Sequence, residues 1–289
     1  MGEDADEPEI SPFVASMTTR IVRRAAKYAE QVAGLLATSA SSRHPDAENQ
    51  LLDEFNLHIE AIVAKYDPPS SRRRGDSLVF RHLYAPVTTV QSQAEPAGEG
   101  VPITYLAALL AADVEFRGPL RLSRTQRALL ARVYERLGSC LRSAGLPAHA
   151  ALAYSRALEL HRDNEDDDAE DRCGLAKARA ETAALWPLRR RVGRWISEWS
   201  CGYGYRPFRL LFWMVVQLAV FTVAITLLTH ESFGDSVYLC LANYLNPAGL
   251  GDAADFNGPA RTLLVTEAYA GIVSTSVFFA LLVRRWFRI

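Results

Sequence analysis

The chain has 289 residues, a formal net charge of −1 and 49% hydrophobic residues. That balance gives no overall basic field, so nucleic acid is not expected as a partner. The four cysteines (Cys140, Cys173, Cys201, Cys240) include no C-x-x-C pair and the six histidines no H-E-x-x-H, so neither a disulfide framework nor a metal site is expected. No nucleophile elbow, Walker loop or dinucleotide fingerprint appears, which argues against an enzyme and against a bound cofactor.

Charge is segregated along the chain. The opening, Met1 to Glu7, is acidic rather than basic-then-apolar, unlike a secretory signal. Lysine occurs only at Lys27, Lys65 and Lys177; the other basic side chains are arginines, a bias typical of a GC-rich bacterial genome.

Residues 1–11 read as a disordered lead, and 12–66 as an N-terminal helical region. Val14, Met17, Ile21, Ala25, Tyr28, Val32 and Leu35 form one helical stripe, and Leu51, Leu52, Phe55, Ile59, Ile62 and Val63 a second. Residues 67–102, rich in Pro, Ser, Gly and Gln, read as a linker, with 78–84 able to dock on the helices. Further helices are expected over 103–115 and 123–144. The acidic run from Asp163 to Asp168 reads as a solvated turn that caps the next helix, which runs to about Leu185.

Residues 186–209 mix tryptophan and arginine: Trp186, Arg189, Arg190, Arg191, Arg194, Trp195 and Trp199. Tryptophan favours the headgroup zone and arginine anionic lipid, so an interfacial helix on the inner leaflet is expected. Residues 210–229 (LLFWMVVQLAVFTVAITLLT) carry no charge and one strongly polar side chain, Gln217. Such a helix is about 30 Å long, the thickness of a bilayer's hydrocarbon core. Residues 262–283 form a second span that contains Glu267. A carboxylate there must reach the interface, a neighbouring helix or a pore. Ala268, Ala270, Gly271, Ser274 and Ser276 permit close helix packing. Arginines flank both spans on their outer sides, while the connection holds Glu231, Asp235, Asp252, Asp255 and one arginine. Both termini, including the tail 284–289, are therefore expected in the cytoplasm of a bacterium, with the two spans in its inner membrane.

The connection is long for a hairpin. Residues 233–245 (FGDSVYLCLANYL) can form a helix too short to span, with Ser232 or Asp235 able to cap it. Asn246, Pro247, Ala248, Gly249, Leu250, Gly251 and Asp252 follow. Span, short helix, glycine-containing strand and span together resemble the two-transmembrane pore-loop ion channels of the potassium-channel superfamily. Gly249-Leu250-Gly251-Asp252 stands where that family has G-Y-G-D, and Gly271 about where many members have a hinge glycine. The resemblance covers residues 200–289. It implies a homotetramer, membrane lipid as surroundings, and a pore loop over 233–252. A monovalent or divalent cation would pass along residues 246–252. Leu250, Pro247, Asn246 and Ala248 depart from the family pattern, which argues against potassium selectivity.

Residues 131–160 resemble a tetratricopeptide repeat, with Leu137 and Gly138 in its first helix and Ala150, Tyr154 and Ala157 in its second. Cys173-Gly174 falls where the next repeat would place its L-G pair. Such stacks hold partner peptides or proteins in a groove and need about three repeats for stability. The expected fold is thus all-α: a tetratricopeptide-like region over 103–185 and a membrane hairpin over 210–283. The expected function is a gated ion channel; the alternative is a non-conducting, membrane-anchored scaffold or sensor.

Overall fold

The computed structural model describes residues 11–37, 47–66, 77–89, 103–185, 203, 207–229, 232–245 and 258–287. Among them the protein is all-helical, with no strand. The chain divides into two compact units, Met1–Arg191 and Val192–Ile289.

The first unit contains α1 (Pro12–Ala37), α2 (Ala47–Val63), α3 (Arg81–Thr89), α4 (Ile103–Arg117), α5 (Arg124–Ser143), α6 (Pro147–Asp163) and α7 (Asp167–Ala184). Met17, Ile21, Ala25, Tyr28 and Val32, spaced three and four apart, place one stripe of α1 in the core. α2 does the same with Phe55, Ile59 and Ile62. α4 differs. Leu106 to Glu115 are buried without interruption, because α1, α2, α3 and α5 all pack on it. Its alanines at 107, 108, 111 and 112 let those neighbours approach on every side.

Two carboxylates at the end of α4 are inside with it, and both are paired. Asp113 accepts from Tyr134 Oη at 2.6 Å and lies 3.1 Å from Arg117 Nη2. Burial pushes its pKa up, while Tyr134, Arg156 and Arg117 pull it back. Glu115 accepts from the Val79 amide (2.7 Å) and Tyr84 Oη (3.1 Å). The second pair has a consequence for topology. It pins the stretch Ser77–Thr89, read as linker with 78–84 able to dock, onto the core, and part of it forms α3, with Phe80, Tyr84 and Val87 buried. Gln126 Nε2 adds a bond to the Ser77 carbonyl. Pro86 and the short length hide this helix from periodicity.

α5, α6 and α7 follow one another through two three-residue turns of the same geometry. In the first, Leu146 N bonds Leu141 O and Gly145 N bonds Arg142 O, with Gly145 at φ +81°. In the second, Asp166 N bonds His161 O and Glu165 N bonds Arg162 O, with Glu165 at φ 59°. Both are Schellman closures, and the second holds an L-residue where glycine is favoured. Asp166 then caps α7 through Oδ1, which accepts from Ala169 N, so the acidic run does end in a helix cap. α5 begins with a capping box between Ser123 and Gln126.

The second unit contains α8 (Pro207–Thr229), α9 (Phe233–Leu245) and α10 (Gly258–Phe287), each packed on the other two. The expected second span begins earlier and ends later than its apolar stretch. Gly258 and Pro259 start α10 well before Thr262, proline being well suited to the first turn of a helix.

Candidate functional site

α9 is the element that gives the second unit its character. Ser232 opens it: its Oγ accepts from Asp235 N at 3.3 Å and donates to Asp235 Oδ2 at 2.6 Å. The helix then runs back along the two long helices rather than away from them. Cys240, fully buried, lies beside Thr222 of α8 and Glu267 of α10. Asn243 Nδ2 donates to Leu264 O at 2.8 Å and to Glu267 Oε2 at 3.1 Å. Tyr244 reaches Gly271, where a Cβ would lie 3.0 Å from the ring. Thr222 stands about 10 Å along α8 from its end at Thr229, and Gly271 about 20 Å along α10 from its start at Gly258.

Glu267 sits at the middle of this arrangement with 0% exposure. It is the side chain α9 closes over, and Asn243 of that helix donates to it. Gly271 lies within a continuous helix and serves there as the close-approach point for the Tyr244 ring. α8 and α10 are tied directly by Ser274 Oγ donating to Gln217 Oε1 at 3.1 Å. Gln217, the one strongly polar residue of the first apolar stretch, therefore has a partner in the second.

Phe208–Thr229 and Gly258–Val283 are long and apolar enough to cross a membrane by length and composition. Only 11% and 22% of their apolar windows are buried, whereas the core helix of a soluble protein is mostly covered. Phe212, Val215, Val223, Leu227, Val273 and Phe279 all face outward.

The interfacial candidates Trp186, Arg189, Arg190, Arg191, Arg194, Trp195 and Trp199, and the filter candidates Asn246, Pro247, Ala248, Gly249, Leu250, Gly251 and Asp252, lie outside the described residues, as does the lead 1–10.

In the first unit α5 and α6 bury small and aromatic residues against each other. Leu137, Gly138, Ala150, Tyr154 and Ala157 are all buried where α5 crosses α6. A Cβ on Gly138 would lie 2.8 Å from the Tyr154 ring, so only glycine admits that ring. Two further groupings escaped the sequence reading. Glu48 of α2 accepts from the amides of Ala148 and His149 (2.8 and 3.0 Å) and lies 2.8 Å from His149 Nδ1, while His149 Nε2 is 2.6 Å from Tyr28 Oη. Glu135, His161 and Cys173 meet where α5, α6 and α7 pack. Burial pushes the Cys173 thiol up to about 12, with the Glu135 carboxylate adding to the shift. Separations of 26 and 12 residues leave no local signature of this second grouping in the sequence.

No family model, curated protein or solved structure matches this chain.

Proposed function

We propose that the protein is a membrane ion channel of the two-span pore-loop type, a bacterial inner-membrane tetramer whose N-terminal helical region gates it. The observation that carries this reading is the course of α9. It is about 20 Å long, too short to span a core of about 30 Å, and it folds back between two apolar helices. If α8 and α10 cross the bilayer, the end of α9 would lie near mid-depth, a reading supported by the approach of the Tyr244 ring to Gly271. There its last carbonyls, the negative end of the helix dipole, precede Asn246–Pro247–Ala248–Gly249–Leu250–Gly251–Asp252. Backbone carbonyls of that stretch from four copies would replace a cation's water shell. Without the aromatic residue and threonine of a potassium filter, the pore discriminates weakly among monovalent and divalent cations. The tetratricopeptide-like stack binds a peptide or protein partner, and the Trp186–Trp199 stretch (residues 186–199) transmits the resulting strain along the lipid interface. Transport, not catalysis, is the assigned activity.

The test is recording from the purified full chain in planar bilayers, beside Gly249→Ala and Gly251→Ala. Cation currents that either substitution alters, from a particle of four-fold symmetry, are the expected result. A second reading has its own support: the clamp of Asn243, Cys240 and Tyr244 on α10 builds a closed hairpin from one chain alone. That is the construction of a non-conducting anchor for a tetratricopeptide-like scaffold. Silence of all three proteins, with a monomer or dimer in mild detergent, selects it.

A further inference from the structure

Three consecutive helices of the first unit each send one potential metal ligand to a single point. Glu135 comes from α5, His161 from the last turn of α6 and Cys173 from the second turn of α7, with ligand atoms all within 4.8 Å of one another. His161 Nε2 is 2.6 Å from Glu135 Oε1. His161 and Cys173 are 5% and 2% exposed, so two of the three ligands are already withdrawn from water.

A carboxylate also stands on the side of the other His161 nitrogen, beyond hydrogen-bond distance. Asp166 Oδ2 lies 3.8 Å from Nδ1. Asp166 cannot drift, because its amide bonds the His161 carbonyl and its Oδ1 caps α7. Metal-ligating imidazoles are oriented by a carboxylate on that side, and a side-chain movement of about 1 Å would make this contact a hydrogen bond. A bare Glu–His ion pair requires neither this nor a buried thiol.

We propose that Glu135, His161 and Cys173 bind a single divalent ion of the zinc class, with Asp166 orienting His161 from behind. One thiolate, one imidazole and one carboxylate match zinc's borderline character. They do not suit calcium or magnesium, which require oxygen ligands, nor copper(I), which prefers soft ones. Three protein ligands leave the fourth tetrahedral position for water. The opening is on the side of Glu135, whose side chain is 30% exposed and offers the entry path. Tetrahedral bond lengths require its oxygen and the imidazole nitrogen to separate to about 3.4 Å, within reach of a partly exposed side chain. The ion would staple α5, α6 and α7 together. This inference is independent of the channel reading.

The experiment uses the detergent-solubilised full chain, stripped with a chelator and then titrated with Co²⁺ and Zn²⁺. The expected result is one Co²⁺ per chain with a thiolate-to-cobalt charge-transfer band that Zn²⁺ bleaches. Cys173→Ser abolishes the band and Cys140→Ser retains it. Zn²⁺ raises the melting temperature of the wild type but not of Cys173→Ser. Asp166→Asn, which keeps the α7 cap, weakens zinc binding about 10- to 100-fold. Should Cys173→Ser fail to fold, Glu135→Gln serves instead: it retains the thiolate band but binds Zn²⁺ more weakly. A wild type without a thiolate band overturns the proposal. So does a band indifferent to Cys173→Ser, or a melting temperature indifferent to Zn²⁺; each leaves a structural ion pair.

Discussion

Gly138 shows how one hydrogen atom decides a helix crossing. Glycine in the middle of α5 costs about 1 kcal/mol in helix propensity, yet here it is the residue that lets the Tyr154 ring lie on the helix backbone. Gly138→Ala would recover that propensity and lose more to overpacking, which typically costs about 1–3 kcal/mol. We expect a net destabilisation of about 1–2 kcal/mol, read as a lowered melting temperature by circular dichroism. In a Tyr154→Leu background the same substitution should become neutral or stabilising; a persistent loss there would mean that something other than the ring occupies the space. The pair Leu137-Gly138 was visible in the sequence because its chemistry is local. The ring that makes the glycine necessary is 16 residues away on another helix.

At the scale of elements, helix ends explain more than helix propensities. The residue before α6, Leu146, offers no side-chain cap, and Pro147 disposes of only one of the free amides. The missing acceptor arrives from α2, one hundred residues earlier: Glu48 takes the amides of Ala148 and His149 and faces His149 Nδ1. It places a negative charge at the positive end of α6 and joins the two ends of the first unit. Glu48→Ala would leave buried donors without acceptors, at a cost of about 2 kcal/mol, and Glu48→Gln, which keeps a capping oxygen, distinctly less. Denaturation midpoints of the two variants should fall in that order; equal midpoints would show that charge, not capping, matters. The same reasoning explains α3. Its residues were expected to be linker because composition reports only on the segment itself, whereas Glu115 and the α4 surface determine whether it folds.

At the scale of the whole molecule, each unit has a core of its own. That of the first runs from Met17 on α1 to Ala180 on α7, and that of the second gathers Ile225, Cys240, Ala260 and Leu264. A core closed within Met1–Arg191 should fold without the rest. Residues 1–191 expressed alone should be soluble and melt in one cooperative, helical transition. Aggregation of the fragment, or a broad non-cooperative melt, would mean that its stability depends on the second unit.

The amino-acid sequence by itself determined the all-helical class, the stripes of α1 and α2, the two long apolar helices and the short helix between them. These are properties of residue types repeated at helical spacing, and the backbone enforces that spacing locally. Only the tertiary structure decided which face Glu267 takes, what Gly271 admits, that α3 exists, who caps α6, and that Glu135, His161 and Cys173 share one point. Each depends on a partner from a distant part of the chain. Local spacing shows that a side chain needs a partner, but packing chooses which one it meets.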